Sequence, residues 1–511
     1  MKNFFRLSFL SCLLLASMNF FIGCSDDETL PQLTGESKQF VLFAKSNPAV
    51  SGTVTISKRN DNATLITIQL RGTSAGGSHP AHIHANSAAE SGGIVLDLTA
   101  VDGSTGKSET VVKSLNNGSP ITYDQLINLD GYVNVHLSGT DLATLIAQGD
   151  IGINELTSTS KTYPLSAVSN NAISGTAKFT KRVSGKTLVS IALTGTTPGV
   201  SSIAHIHINT VAQTGGVLVD LTPVNGSTGK SDTSVNKLNS GAAITYDELL
   251  IFNGYVNVHE SATALSTLIA QGDIGKNELT NISKTYPLSA VSNNAISGTA
   301  KFTKRVSGET LVSISLTGTT AGVSSPAHIH LNNVAQGGAI AIDLTSVTGI
   351  TGKSETSISK LNNGTAITYD ELLNFNGYIN VHQSATNLAT IIAQGNIGAN
   401  TVNANIVNYN VTNTSSSSYV FNGGGLTNGS NPNLTLQRGK TYSFTMNTPG
   451  HPFLIKTVQT TGSVSAYNNG VTNNGASSGV ISFTVPSDAP NTLYYICEFH
   501  SSMTGMITIT N

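Results

Sequence analysis

The chain repeats itself, and the length of the repeat decides most of what it can become. Ala81-His82-Ile83-His84 recurs as Ala204-His205-Ile206-His207 and as Ala327-His328-Ile329-His330, a spacing of 123 residues. Gly131-Tyr132-Val133-Asn134-Val135-His136 returns as Gly254 to His259 and, with Ile379 in place of Val, as Gly377 to His382. An Asp between aliphatic residues also recurs, as Asp97, Asp220 and Asp343. Solenoid units are about 20–50 residues long, so this period specifies whole domains in tandem. Ser37, Ser160 and Ser283 are equivalent starts, giving units over 37–159, 160–282 and 283–403, with a region of its own pattern over 404–511.

Within a unit the pattern is mostly β. Thr53 to Ser57 and Tyr132 to His136 alternate apolar and polar residues, while Thr64 to Leu70 and Ile94 to Thr99 are rich in β-formers. Thr245-Tyr246-Asp247-Glu248 is a capping box that starts one short helix, repeated at Thr368 to Glu371, with Gln125 in the first unit. Seven or so strands joined by Gly-rich turns predict an all-β chain: three β-sandwich or barrel repeats, then a Greek-key β-sandwich. Apolar residues at 39% in alternating runs exclude disorder. Charged residues are only 11% with net charge −2, so no basic stripe exists to bind nucleic acid.

On a strand, His82 and His84 share one face, and His136 shares its face with Tyr132 and Asn134. If the two strands are neighbours, three imidazoles meet, and likewise His205, His207, His259 and His328, His330, His382. Three nitrogens with an open position suit Zn or Cu; a hydrogen-bonded cluster that pins the strands is the alternative. Asp97 orients one imidazole in either case, and His79 is extra to the first unit. The Ala-His-Ile-His, Val-Leu-Asp-Leu and Gly-Tyr-Val-Asn-Val-His motifs resemble the CHRD domain, named from chordin, over residues 37 to about 403. The end of the unit, Ala147-Gln148-Gly149-Asp150-Ile151, departs from that family's usual Gly-Glu-Ile-Arg-Gly. The resemblance implies a secreted β domain and no common chemistry. The His-x-His strand is also similar to Cu,Zn superoxide dismutase, without that enzyme's remaining ligands.

In 404–511, strands are expected at Ile406 to Val411, Leu434 to Gln437, Thr441 to Met446, Phe453 to Val458, Val480 to Val485, Leu493 to Cys497 and Ile507 to Thr510. His451 precedes the fourth. Cys497, His500 and Met503 fall in one short run. Two imidazoles, a thiolate and a weak thioether are the donor set of an electron-transfer copper site: the sulfurs favour Cu(I) and imidazole suits either state. The run resembles the C-terminus of plastocyanin-like cupredoxins, which implies His451, Cys497 and His500 as strong copper ligands and Met503 as the axial one. The His–Met spacing is two residues shorter than in plastocyanin, and Pro452 replaces the Asn that ties the two ligand loops together. Met506 is the alternative axial residue, and Met446 is expected in the core.

Lys2 and Arg6, an apolar run from Phe9 to Phe21, then Phe21-Ile22-Gly23-Cys24 resemble a lipoprotein leader and its lipobox. That implies a signal over 1–23 and lipidation of Cys24, with membrane attachment through the lipid. Residues 24–36 read as an acidic linker, similar to the signal that places some lipoproteins on the outer-membrane surface; the periplasmic face is the alternative. Cys12 leaves with the leader and Cys24 takes lipid, so Cys497 is the single thiol left to explain. Neither a phosphate loop nor a nucleophile motif appears, which argues against an autonomous hydrolase. The expectation is a copper protein that carries an electron to a redox partner or handles copper, with the repeats as spacers or surface-ligand modules. A structural or adhesive surface protein is the second class, and an oxidase or dismutase using the repeat histidines the third.

Overall fold

The structure is a computed structural model that describes residues 31–401 and 406–511. The leader, Cys24 and the first part of the acidic linker lie outside the described residues.

The first unit has eight antiparallel strands, one more than the sequence pattern indicates: β1 (Leu33–Ala44), β2 (Ser51–Arg59), β3 (Thr64–Arg71), β4 (Ser78–Ala85), β5 (Ile94–Asp102), β6 (Lys107–Val112), β7 (Asp130–Ser138) and β8 (Asp141–Gly152). Neighbours run β1-β2-β3-β6-β5-β4-β7-β8, and Phe43↔Gln148 with Ala44↔Ala147 joins β8 to β1. The sheet therefore closes into a barrel, which leaves no exposed edge. Val54, Ile56, Ile66, Ile68, Ile83 and Val133 fill its interior because alternate residues of each strand point inward. The helix Tyr123–Leu126 has its capping box, Thr122 with Gln125, and buries Tyr123 and Leu126.

The second unit (Leu156–Gly275) is a closed barrel with the same neighbour order, and the third (Leu279–Gly398) is the same barrel with its ladder open at one seam, between Ile340–Thr348 and Lys353–Ile358. Each first strand starts at Leu33, Leu156 or Leu279, four residues before the equivalent serine. In β1 and its third-unit counterpart a register irregularity lies in that stretch, so the strand runs on through it. The first of these strands occupies the last four residues read as linker.

One charge device follows the repeat. Arg182 is fully buried and donates to Asp150 Oδ2 at 2.6 Å and to the Asn154 carbonyl. Arg305 does the same with Asp273 at 2.6 Å and the Asn277 carbonyl. Arg59, their counterpart in the first unit, pairs with Asp61 instead, and Asn396 stands at the position of Asp150 and Asp273 in the third.

The C-terminal region is two sheets. One has the order Leu426–Ser430, Ser418–Gly423, Ile406–Thr414, Thr441–Asn447, Ser478–Thr484, Val471–Thr472; the other Leu434–Gln437, Thr504–Thr510, Thr492–Cys497, Phe453–Lys456. Between them lie Val411, Phe421, Phe444, Met446, Phe453, Ile481, Tyr495 and Ile507. Met446 is core, as its strand position requires. Ser418–Gly423 and Leu426–Ser430 were not evident in the sequence, because their Ser, Asn and Gly content reads as turn, nor was Val471–Thr472, which is two residues long between Asn-rich turns. The fourth strand stops at Lys456, short of Val458, where the chain turns so that Lys456 Nζ reaches the Thr460 and Gly462 carbonyls.

Candidate functional site

In the C-terminal region Phe453 pairs with Cys497 across an antiparallel ladder. That register sets His451, two residues before Phe453, at the same end of the sheet as Cys497, the last residue of its strand. Beyond it the chain folds back: the Cys497 N–H donates to the Met503 carbonyl at 2.9 Å, and the Met503 N–H to the His500 carbonyl at 3.2 Å. This tight turn returns His500 over the thiol. His451 Nδ1 and His500 Nδ1 are 3.1 Å apart, and Cys497 Sγ is 3.8 and 3.4 Å from them.

These spacings have a chemical meaning. An ion with bonds of about 2.0 Å to nitrogen and 2.3 Å to sulfur, in trigonal arrangement, separates its nitrogens by about 3.5 Å and each nitrogen from sulfur by about 3.7 Å. The three donors sit within a few tenths of an ångström of that. Cys497 is wholly buried while both imidazoles are partly exposed. Met503 is wholly buried in the same core, whereas Met506 is 38% exposed on the outer face of its strand, which counts against Met506 as a fourth donor.

The loop that carries His451 is held from two sides. Tyr419 Oη donates to the His451 and Pro452 carbonyls, both at 3.0 Å. The Glu498 N–H also donates to the Pro452 carbonyl at 3.1 Å, and Thr448 Oγ1 to the His451 carbonyl at 3.0 Å. The Pro452 carbonyl thus links the two ligand loops without an Asn side chain. Burial, then the neighbouring Cys497, pushes the Tyr419 phenol well above its ordinary range, so it stays a proton donor. Sequence reading missed Tyr419; the alternation of Tyr419 with Phe421 was the available signal.

The barrels build a different cluster. β4 pairs with both β5 and β7, setting His82 beside Asp97 and Asn134, and His84 beside Tyr132. Ala81, Ile83, Val133 and Val135 point into the barrel, so the imidazoles lie on its outer wall. One donor atom each from His82, His84 and His136 lies within 4.8 Å of the others, and the same holds for His328, His330 and His382; His205, His207 and His259 are their equivalents in the second unit by sequence. His136 Nδ1 faces the Leu142 carbonyl at 2.6 Å and His84 Nδ1 the Gly92 carbonyl at 2.9 Å. His82 Nδ1 is 3.2 Å from His136 Nε2, and its Nε2 is 3.7 Å from Asp97 Oδ1. His84 stacks on Tyr132 at 4.9 Å. Burial first lowers His82 and His136 below the usual histidine range, and the other imidazoles add to this. Neutral rings with a free lone pair are what a metal requires. His79 is separate: its Nδ1 meets the Leu137 carbonyl at 2.8 Å, the task that Ser202 and Ser325 perform with the Glu260 and Gln383 carbonyls.

Residues 32–141 match the CHRD domain family, a span that takes in most of the first barrel. No curated protein matches the chain. A solved structure of the copper protein rusticyanin aligns at 21% identity over 21% of this chain and 79% of that one, with a TM-score of 0.16. The BSP domain of a biofilm associated protein aligns at 12% identity over 93% and 96%, with a TM-score of 0.13. Likenesses this slight settle no fold, and the donor geometry stands by itself. Among the described residues no helix is long and apolar enough to cross a membrane.

Proposed function

We propose that the chain is an exported, lipid-anchored protein whose C-terminal domain holds one copper ion and passes single electrons to a partner at the cell envelope. The observation that carries this reading is the convergence of His451 Nδ1, Cys497 Sγ and His500 Nδ1, with 3.1 to 3.8 Å between them, from two chain segments. Copper bound there supplies a one-electron couple. The residues supply the rest. Two imidazoles and a thiolate accept either oxidation state, and Met503, buried in the same core, is the weak fourth contact that the sequence implies. The loops are tied through the Pro452 and His451 carbonyls, so the donors need little rearrangement when charge changes. Partial exposure of His451 and His500 leaves a short route from the site to solvent. Attachment through Cys24, outer-membrane placement and the role of the repeats as spacer or binding modules rest on the sequence.

Copper(II) added to the metal-free chain should give an intense visible thiolate-to-copper band that ascorbate bleaches and air restores. A bound ion with no such band, or one that ascorbate leaves unchanged, contradicts electron transfer.

A further inference from the structure

The third barrel carries an arrangement that a hydrogen-bonded histidine cluster does not explain. In it, His330 and His382 are more than nine-tenths buried, and His330 Nε2, His382 Nε2 and His328 Nδ1 are buried without a hydrogen-bond partner. A buried polar atom left unpaired is destabilising, and here three such atoms belong to a trio whose ligand atoms lie within 4.8 Å of one another. Structural histidines would be expected to use these atoms.

The opposite nitrogen of every ring is accounted for. His382 Nδ1 faces the Leu388 carbonyl at 2.6 Å, His330 Nδ1 the Gly338 carbonyl at 2.9 Å, and His328 Nε2 lies 3.8 Å from Asp343 Oδ1. The two backbone acceptors fix the proton on Nδ1 and turn the Nε2 lone pairs of His330 and His382 inward. Metal-binding histidines are held this way, the far N–H given to a carbonyl or carboxylate that sets tautomer and ring angle. The first barrel repeats these outer contacts with Leu142, Gly92 and Asp97, while on the inner side His82 Nδ1 lies at hydrogen-bond distance from His136 Nε2, 3.2 Å, and His84 Nε2 3.4 Å from Asn134 Nδ2. Asp97 is itself fixed by Asn116, and Asp343 by Asn362.

We propose that each barrel binds one borderline divalent ion, Zn2+ or Cu2+, through three imidazoles: His82 Nδ1, His84 Nε2 and His136 Nε2 in the first, His328 Nδ1, His330 Nε2 and His382 Nε2 in the third and, by the repeat of the sequence, His205, His207 and His259 in the second. Three neutral nitrogens with no carboxylate among them select such ions over Ca2+ or Mg2+. The partly exposed first histidine of each trio leaves the fourth position reachable by water.

The test is metal analysis on the full chain carrying His451→Ala and Cys497→Ser, which removes the C-terminal site and makes the count independent of the copper proposal. After chelation and equilibrium dialysis against Zn2+ or Cu2+, three ions per chain are expected, with Ca2+ and Mg2+ not retained. Adding His328→Ala and His382→Ala should lower the count to two. If those changes unfold the barrel by circular dichroism, His382→Gln in the folded chain should weaken one of the three ions at least tenfold. Fewer than three ions, or a count and affinity that the third-barrel variants leave unchanged, overturns the proposal.

Discussion

The barrels and the C-terminal domain both gather histidines, but they do so by different means. In the barrels every donor stands on a strand face, and the register of β4 against β5 and β7 decides which side chains meet. In the C-terminal domain one donor ends a strand and two stand on turns, and their meeting depends on backbone hydrogen bonds that bind turn to turn. Strand-built clusters are copied faithfully with the fold, which is why three copies agree to within about 0.1 Å in their carbonyl contacts. A turn-built cluster can mix sulfur with nitrogen and hold a softer ion.

That contrast can be broken most sharply at Cys497. Cys497→Ser should abolish the visible copper band entirely while leaving metal bound by the barrels, measured by absorbance beside metal analysis. A band that survives would remove the thiolate from the site. Next in size is Asp97→Asn, which keeps the shape but removes the carboxylate facing His82. About a 10–100-fold loss of metal affinity is expected in the first barrel, read by competition with a chelator, and none at the C-terminal site. Tyr419→Phe is smaller. It deletes the phenol that bonds the His451 and Pro452 carbonyls, but Thr448 and Glu498 still donate to them. Denaturant unfolding should show a loss of about 1 kcal/mol, with the copper band retained. Met506→Leu should change neither copper spectrum nor stability, since that side chain is on the outer face; a spectral shift would move the axial role to it.

Much of this molecule was readable before the fold, and what was not has identifiable causes. The repeat, the alternating strands and the capping boxes are local patterns, so they announced themselves. Barrel closure was not local: it rests on a short pairing between β1 and β8, about a hundred residues apart, which no window of sequence shows. The strand Ser418–Gly423 hid behind its Ser and Gly residues, and with it Tyr419. Nothing local in the sequence marks Arg182 and Arg305, yet each is buried against a carboxylate one repeat earlier. The pattern of Asp150, Asp273 and then Asn396 was a usable signal, because the charge is absent where no further arginine follows. For the sites, residue type and spacing gave the donors. Which nitrogen of each ring points inward depends on carbonyls from distant turns, such as Gly92 and Leu142, and only the fold supplies them.

The central claim is one copper ion held by sulfur and nitrogen from two separate turns. X-ray absorption at the copper edge, on the chain loaded with one equivalent while the barrel sites hold Zn2+, tests it most directly. The account predicts a single short copper–sulfur contact with two imidazole nitrogens, lost in Cys497→Ser. A shell of nitrogen and oxygen alone would contradict it.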